Sequence, residues 1–175
     1  RLAMKALFAA LALMLQLLVT PAFASEAMKP LTETMVKNFV LGWYFVTNEH
    51  RPVDELLMLA NKDIKFIYPD GSGNQQGHAA LRAWYEDALS RYFDETHAIE
   101  NWQEIKIAGN QATVKLIVRW ERREWKPGDA RSRYIANLAW QTYDLVRDPD
   151  SGRISVTAKI VDKFIPTAPI YGVSQ

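Results

Sequence analysis

Histidine is the side chain best suited to move a proton near neutral pH, and this chain has three, His50, His78 and His97. They are scattered and lack an acidic companion at ligand spacing, so no metal site is expected. His97 opens a strand that follows a helix, where a side chain can enter the mouth of an enclosed space. Three roles are open to it: fastening the strand by a hydrogen bond, touching a bound molecule, or acting as a general base. His50 and His78 have plain loop and helix-start explanations. Asp162 is an acid on a strand parity otherwise used by Ile160 and Phe164. Facing inward, it would have to be hydrogen-bonded or protonated, because an unpaired buried carboxylate is very costly. A bulge would instead turn it to solvent. Were Asp162 and His97 to meet, they would make an acid–base unit.

Aromatic residues give the broader signal. Tyr44, Tyr68, Trp84, Tyr85, Trp120, Tyr134 and Trp140 supply rigid apolar surface with a hydrogen-bonding atom at its edge, which suits a pocket for a flat, moderately hydrophobic molecule. The competing explanation, that they fill a core, accounts for at least half of them. Trp102, Trp125 and Tyr143 are assigned to an outer sheet face, which would prefer a partner to water. The glycines are isolated at turns and form no phosphate cradle or dinucleotide fingerprint, so no cofactor is expected. The chain has no cysteine, which removes thiolate chemistry and disulfides.

The elements that must position these residues follow from periodicity. Apolar Leu31, Met35, Phe39 and Trp43 recur at four-residue steps and predict a helix ending near Asn48–Arg51. Pro52 opens a shorter helix, and Asp63–Tyr68 reads as a short strand. Ser72–Gln76 is a polar loop, and a third helix is predicted over His78–Phe93. Strands follow at Thr96–Ile107, Thr113–Trp125, Arg133–Val146 and Arg153–Ile165, the last two joined by the turn sequence Asp148-Pro149-Asp150-Ser151-Gly152. Amphipathic helices of this length must bury their apolar faces against the sheet.

Length suits one domain after a leader is set aside. Lys5, the apolar run Ala6–Val19 and the small-x-small site Ala22-Phe23-Ala24 predict a secretory signal peptide over residues 1–24. The domain then spans residues 25–165, with a tail over 166–175. An exported, periplasmic or secreted protein is expected, with no stable membrane insertion once the leader is removed. Acids and bases are interspersed and the formal net charge is +1, which carries no message about nucleic acid.

The order of elements resembles the NTF2-like superfamily and its SnoaL-like branch over Leu31 to about Phe164. The pieces that carry the resemblance are Asp54-Glu55-Leu56-Leu57 with Asp63-Ile64-Lys65-Phe66, the run Gly77-His78-Ala79-Ala80-Leu81-Arg82-Ala83-Trp84-Tyr85, then Thr96-His97-Ala98-Ile99-Glu100-Asn101, and Gly109-Asn110-Gln111-Ala112-Thr113-Val114. It implies an α+β, cystatin-like cone: three N-terminal helices packed on a strongly curved mixed, mainly antiparallel sheet. It also implies a pocket and pairing of two copies through the outer sheet face. Enzymes similar to ketosteroid isomerase place a tyrosine on the first helix, which Tyr44 matches, and an aspartate before the proline ending the first strand. Tyr68 stands there instead, so that chemistry is not expected in its usual form.

Three functions are consistent with these residues. The first is an exported small-molecule-binding domain with a pocket lined by Tyr44, Tyr68, Trp84, Tyr85, His97, Trp120, Tyr134 and Trp140. The second is a cofactor-independent lyase, isomerase or hydrolase using His97 with Tyr44, Tyr68 or Asp162. The third is a dimeric association or scaffolding domain whose pocket is filled by its own side chains. Fold alone does not choose among them.

Overall fold

Thr32 starts the first helix: its hydroxyl accepts the Met35 N–H at 3.2 Å, and α1 then runs Glu33–Asn48. The computed structural model describes residues 30–69, 71 and 74–168, so the predicted leader and tail residues 169–175 lie outside the described residues. Val36, Val40, Trp43, Tyr44 and Thr47 form the buried face of α1. Met35 and Phe39, expected at the centre of that stripe, lie at its half-buried margin. Pro52 N-caps the short α2 (Val53–Leu59), which leads directly into β1 (Ala60–Ile67).

The polar loop read at Ser72–Gln76 contains a two-residue strand, β2 (Gln75–Gln76), paired with β1. The third helix, α3, covers Gly77–Arg91 and buries Leu81, Tyr85 and Ala88. Gly77 links β2 to α3 with a φ of 79°, a conformation that costs glycine little. Four long strands complete the chain: β3 (Tyr92–Ala108), β4 (Gln111–Glu124), β5 (Arg133–Arg147) and β6 (Ile154–Pro166).

The strands form one mixed sheet in the order β2-β1-β6-β5-β4-β3; β1 and β6 are parallel and every other pair is antiparallel. The predicted strongly curved cone is not what they build. The sheet is open, with β2 and β3 as its two edges, and is neither strongly curved nor closed. The strong curvature came from the resemblance alone, since alternating apolar residues report which face is covered and carry no information about bend.

All three helices share one side with the buried core, which includes Trp43, Leu56, Leu81, Leu116 and Tyr143. Tyr143, expected on the outer face, is fully buried in that core, and Trp102 packs against it from its margin. Of the three aromatics assigned outward only Trp125 is exposed. No helix among the described residues is long and apolar enough to cross a membrane.

Candidate functional site

Side chains on one face of a strand recur every second residue, so Glu95 and His97 of β3 point together at the helices, as do Lys159 and Val161 of β6. With Trp43 from α1 and Gln141 from β5 they bound a cavity of about 30 Å³, room for a few atoms. Trp43, Gln141, Lys159 and the His97 side chain are all buried and form its inner end. Tyr68, Trp84, Tyr92 and Phe164 are half-buried and ring its outer end. Tyr68 and Phe164 stack with centroids 5.9 Å apart, and Trp84 lies against Phe66 at 4.6 Å.

His97 is held from both sides and along its edge. Its ring is stacked between Tyr44, at 5.0 Å, and Trp120, at 5.6 Å. The Asn48 amide oxygen accepts the His97 backbone N–H at 2.9 Å and contacts Nδ1 at 2.7 Å. An amide oxygen has no proton to give, so Nδ1 carries the hydrogen and Nε2 keeps a lone pair. Burial lowers the imidazole pKa to about 3, with Glu95 acting in the opposite direction.

Glu95 is the partly hidden acid beside it. One carboxylate oxygen accepts from Trp120 Nε1 at 2.7 Å and lies 3.9 Å from His97 Nε2, while the other meets His50 Nε2 at 3.0 Å. Burial alone would raise this carboxyl, but His50, His97 and Trp120 together bring it below its ordinary value. The same contact raises His50. His50 and Asp94 adopt left-handed φ values of 48° and 50° close to this acid, and β3 bulges between Phe93 and Thr96.

A second polar group lies under Tyr44. The Tyr44 hydroxyl donates to Gln141 Oε1 at 2.9 Å, and Tyr143 donates to the same oxygen at 3.3 Å. Burial raises both phenols, so they remain donors. Lys159 differs from all of these. Its amine forms no hydrogen bond or ion pair among the described residues and instead has Phe66, Tyr143, Trp43 and Tyr44 ring centroids 4.7 to 6.0 Å away. Burial lowers its pKa to about 7, against a weaker opposing effect of Glu95.

Tyr68, Trp84, Tyr85, His97 and Trp120 therefore meet around one cavity. Tyr44 stands behind that wall, stacked on His97. Three expected residues are elsewhere. Tyr134 borders a separate surface cleft and donates to Glu121 at 2.6 Å. Trp140 is on the far face of the sheet under Lys163, whose nitrogen is 3.9 Å from its ring centroid. Asp162 is exposed and accepts the Thr142 hydroxyl at 3.0 Å, so it makes no pair with His97.

Asp162 is turned out by a double irregularity in β6. Leu145 faces Val156 and Asp144 faces Ala158, then Gln141 faces Val161 and Trp140 faces Lys163, so one residue is added at each step. The first shift moves Lys159 and Val161 inward, and the second leaves Asp162 outside while Phe164 returns to the cavity. Asn48, Glu95, Gln141 and Lys159 were not singled out from sequence. A buried lysine between strand residues was detectable only with the bulge known.

No protein-family model and no curated protein sequence matches the chain. Solved structures do. A nuclear transport factor 2-like superfamily protein from Salmonella enterica serovar Typhimurium superposes with a TM-score of 0.59 at 12% identity, covering 81% of this chain and 94% of that one. A hexachlorocyclohexane dehydrochlorinase from Novosphingobium barchaimii gives 0.61 at 14%, covering 80% and 92%. A ketosteroid isomerase-like protein from Erwinia carotovora atroseptica gives 0.60 at 12%, covering 78% and 96%. At these identities the likeness shows the fold alone, which is that of the NTF2-like superfamily protein.

Proposed function

We propose that this chain is an exported small-molecule-binding domain. Its ligand has a flat, moderately hydrophobic body and a small polar head. One observation carries the reading: half-buried aromatic rings surround the entrance to a cavity whose inner end holds polar groups, among them the Lys159 amine, which has no hydrogen bond or ion pair among the described residues. Flat apolar surface gains by leaving water against Tyr68, Trp84 and Phe164, while the head reaches toward Lys159. The cavity of about 30 Å³ spans both ends and admits little more than the head, so the body projects from its mouth against the outer rings. Export rests on the leader read from residues 1–24.

Acid–base catalysis through the expected groups is less well served. A base works best with a pKa near the working pH, and His97 lies near 3. Tyr44 is committed to Gln141, and Asp162 is on the surface. The filled-pocket reading accounts for the ring stack around His97 but leaves the Lys159 amine without a role.

Calorimetric titration with toluene, benzyl alcohol and benzoate tests the proposal, because the three share a ring and differ in the head. Benzyl alcohol and benzoate are expected to bind more tightly than toluene. Absence of binding by all three would reject it.

A further inference from the structure

Lysine is seldom buried without a partner, because its ammonium then loses hydration and gains nothing of equal strength. Lys159 is 6% exposed, borders the cavity, and has no hydrogen bond or ion pair among the described residues. Its strand position is fixed from both sides, opposite Tyr143 on β5 and Phe66 on β1. Rings therefore hold the side chain in place without occupying the nitrogen.

The geometry points to Lys159 as a covalent anchor whose amine forms an imine with an aldehyde or ketone ligand bound in the aromatic-walled cavity. This rests on the binding proposal above and adds a substrate class, the carbonyl compounds. The nitrogen lone pair attacks the carbonyl carbon, and the C=O π pair moves to oxygen to give a carbinolamine after proton transfer. The nitrogen then expels that oxygen as water. The amine loses two hydrogens, the carbonyl loses its oxygen, and no oxidant or reductant is required.

The surroundings favour the reactive form. Burial brings the amine to about 7, so a substantial share is unprotonated near neutral pH, as nucleophilic lysines in apolar pockets require. The ionisable groups around it are Glu95 and His97 from β3, Tyr44 from α1 and Tyr143 from β5. Glu95 favours the ammonium, and neutral His97 adds no positive charge. Lys163, four residues on, is exposed and serves as an internal standard.

The full chain is incubated with benzaldehyde, and in parallel with the slimmer propanal, in the presence of cyanoborohydride, which reduces imines and spares the free aldehydes. Reduction converts an imine to a stable secondary amine that peptide mass mapping locates. Lys159 is expected to be modified at least about tenfold faster than Lys163, with excess benzyl alcohol slowing only the Lys159 reaction. A Lys159→Met variant should lose the fast adduct and keep the slow ones. If benzyl alcohol binds by calorimetry while neither aldehyde labels Lys159 faster than Lys163, the imine is overturned and the binding site stands. If the alcohol does not bind and Lys159 is not labelled, both fall.

Discussion

Asn48 holds His97 at two points, its amide oxygen lying 2.9 Å from the histidine backbone nitrogen and 2.7 Å from ring Nδ1. The last residue of a helix thereby fixes the tautomer of a strand residue and turns Nε2 toward Glu95. Replacing that oxygen by a carboxylate, Asn48→Asp, would favour the imidazolium. The His97 titration followed by NMR should move up from about 3 toward the ordinary histidine range. An unchanged titration would show that the contact does not govern the ring.

The same ring carries a pH prediction with a definite sign. His97 has a folded pKa near 3 against an unfolded value of 6.5, so the unfolded chain takes up the proton first as pH falls. Stability from neutral His97 is complete above about 6.5 and declines toward pH 3. His50, raised by Glu95, acts oppositely: its contribution is complete below 6.5 and is lost as pH rises through its folded pKa. In Asn48→Asp the decline below 6.5 should be shallower, measured as denaturation midpoints against pH.

Lys159→Met is expected to stabilise the fold by roughly 1–4 kcal/mol near neutral pH, because an amine without an ion pair among the described residues gives way to an apolar chain of similar length. The folded pKa near 7 lies below the unfolded 10.5, so wild-type stability from this group rises with pH across that window. The advantage of the variant should accordingly shrink from pH 7 upward. Destabilisation by Met at neutral pH would mean that the amine has an essential partner.

Gln141 serves two phenols with one oxygen. Tyr44→Phe should cost about 1 kcal/mol, since the oxygen keeps Tyr143. Gln141→Leu strands both hydroxyls and should cost roughly 2–5 kcal/mol. Combining the two should cost less than their sum, a coupling that chemical denaturation of the four proteins would measure. Strict additivity would dissolve the network.

Legibility from sequence varied with the physics behind each feature. Every long strand was found, because β-branched and aromatic runs broken by Gly109-Asn110 and the Asp148–Gly152 turn leave little choice. β1 was recognised but begins at Ala60, directly from α2, where no turn residue signals the change. The cavity members Tyr68, Trp84, Tyr85, His97 and Trp120 were legible as aromatic and polar residues on core-facing elements. Lys159 and Asp162 were not, because a strict two-residue alternation cannot see the added residues in β6. Sheet curvature was beyond the pattern altogether, and the expected export signal falls outside the described residues.

The residues that left the site supply a control. Trp84→Ala should weaken benzyl alcohol binding about tenfold, or roughly 1.4 kcal/mol. Asp162→Asn and Trp140→Ala should leave it within about twofold, since neither borders the cavity. Calorimetry on the three variants decides; equal losses in all would indicate unspecific destabilisation.

The six tryptophans divide evenly around the cavity, and this permits a single direct reading. Trp43, Trp84 and Trp120 border it, whereas Trp102, Trp125 and Trp140 do not. In a nitrogen-proton NMR titration of the full chain with benzyl alcohol, the indole signals of the first three should shift together along one saturable curve while the others stay in place. Shifts confined to Trp102, Trp125 and Trp140, or none at saturating alcohol, would contradict a ligand site between the helices and the sheet.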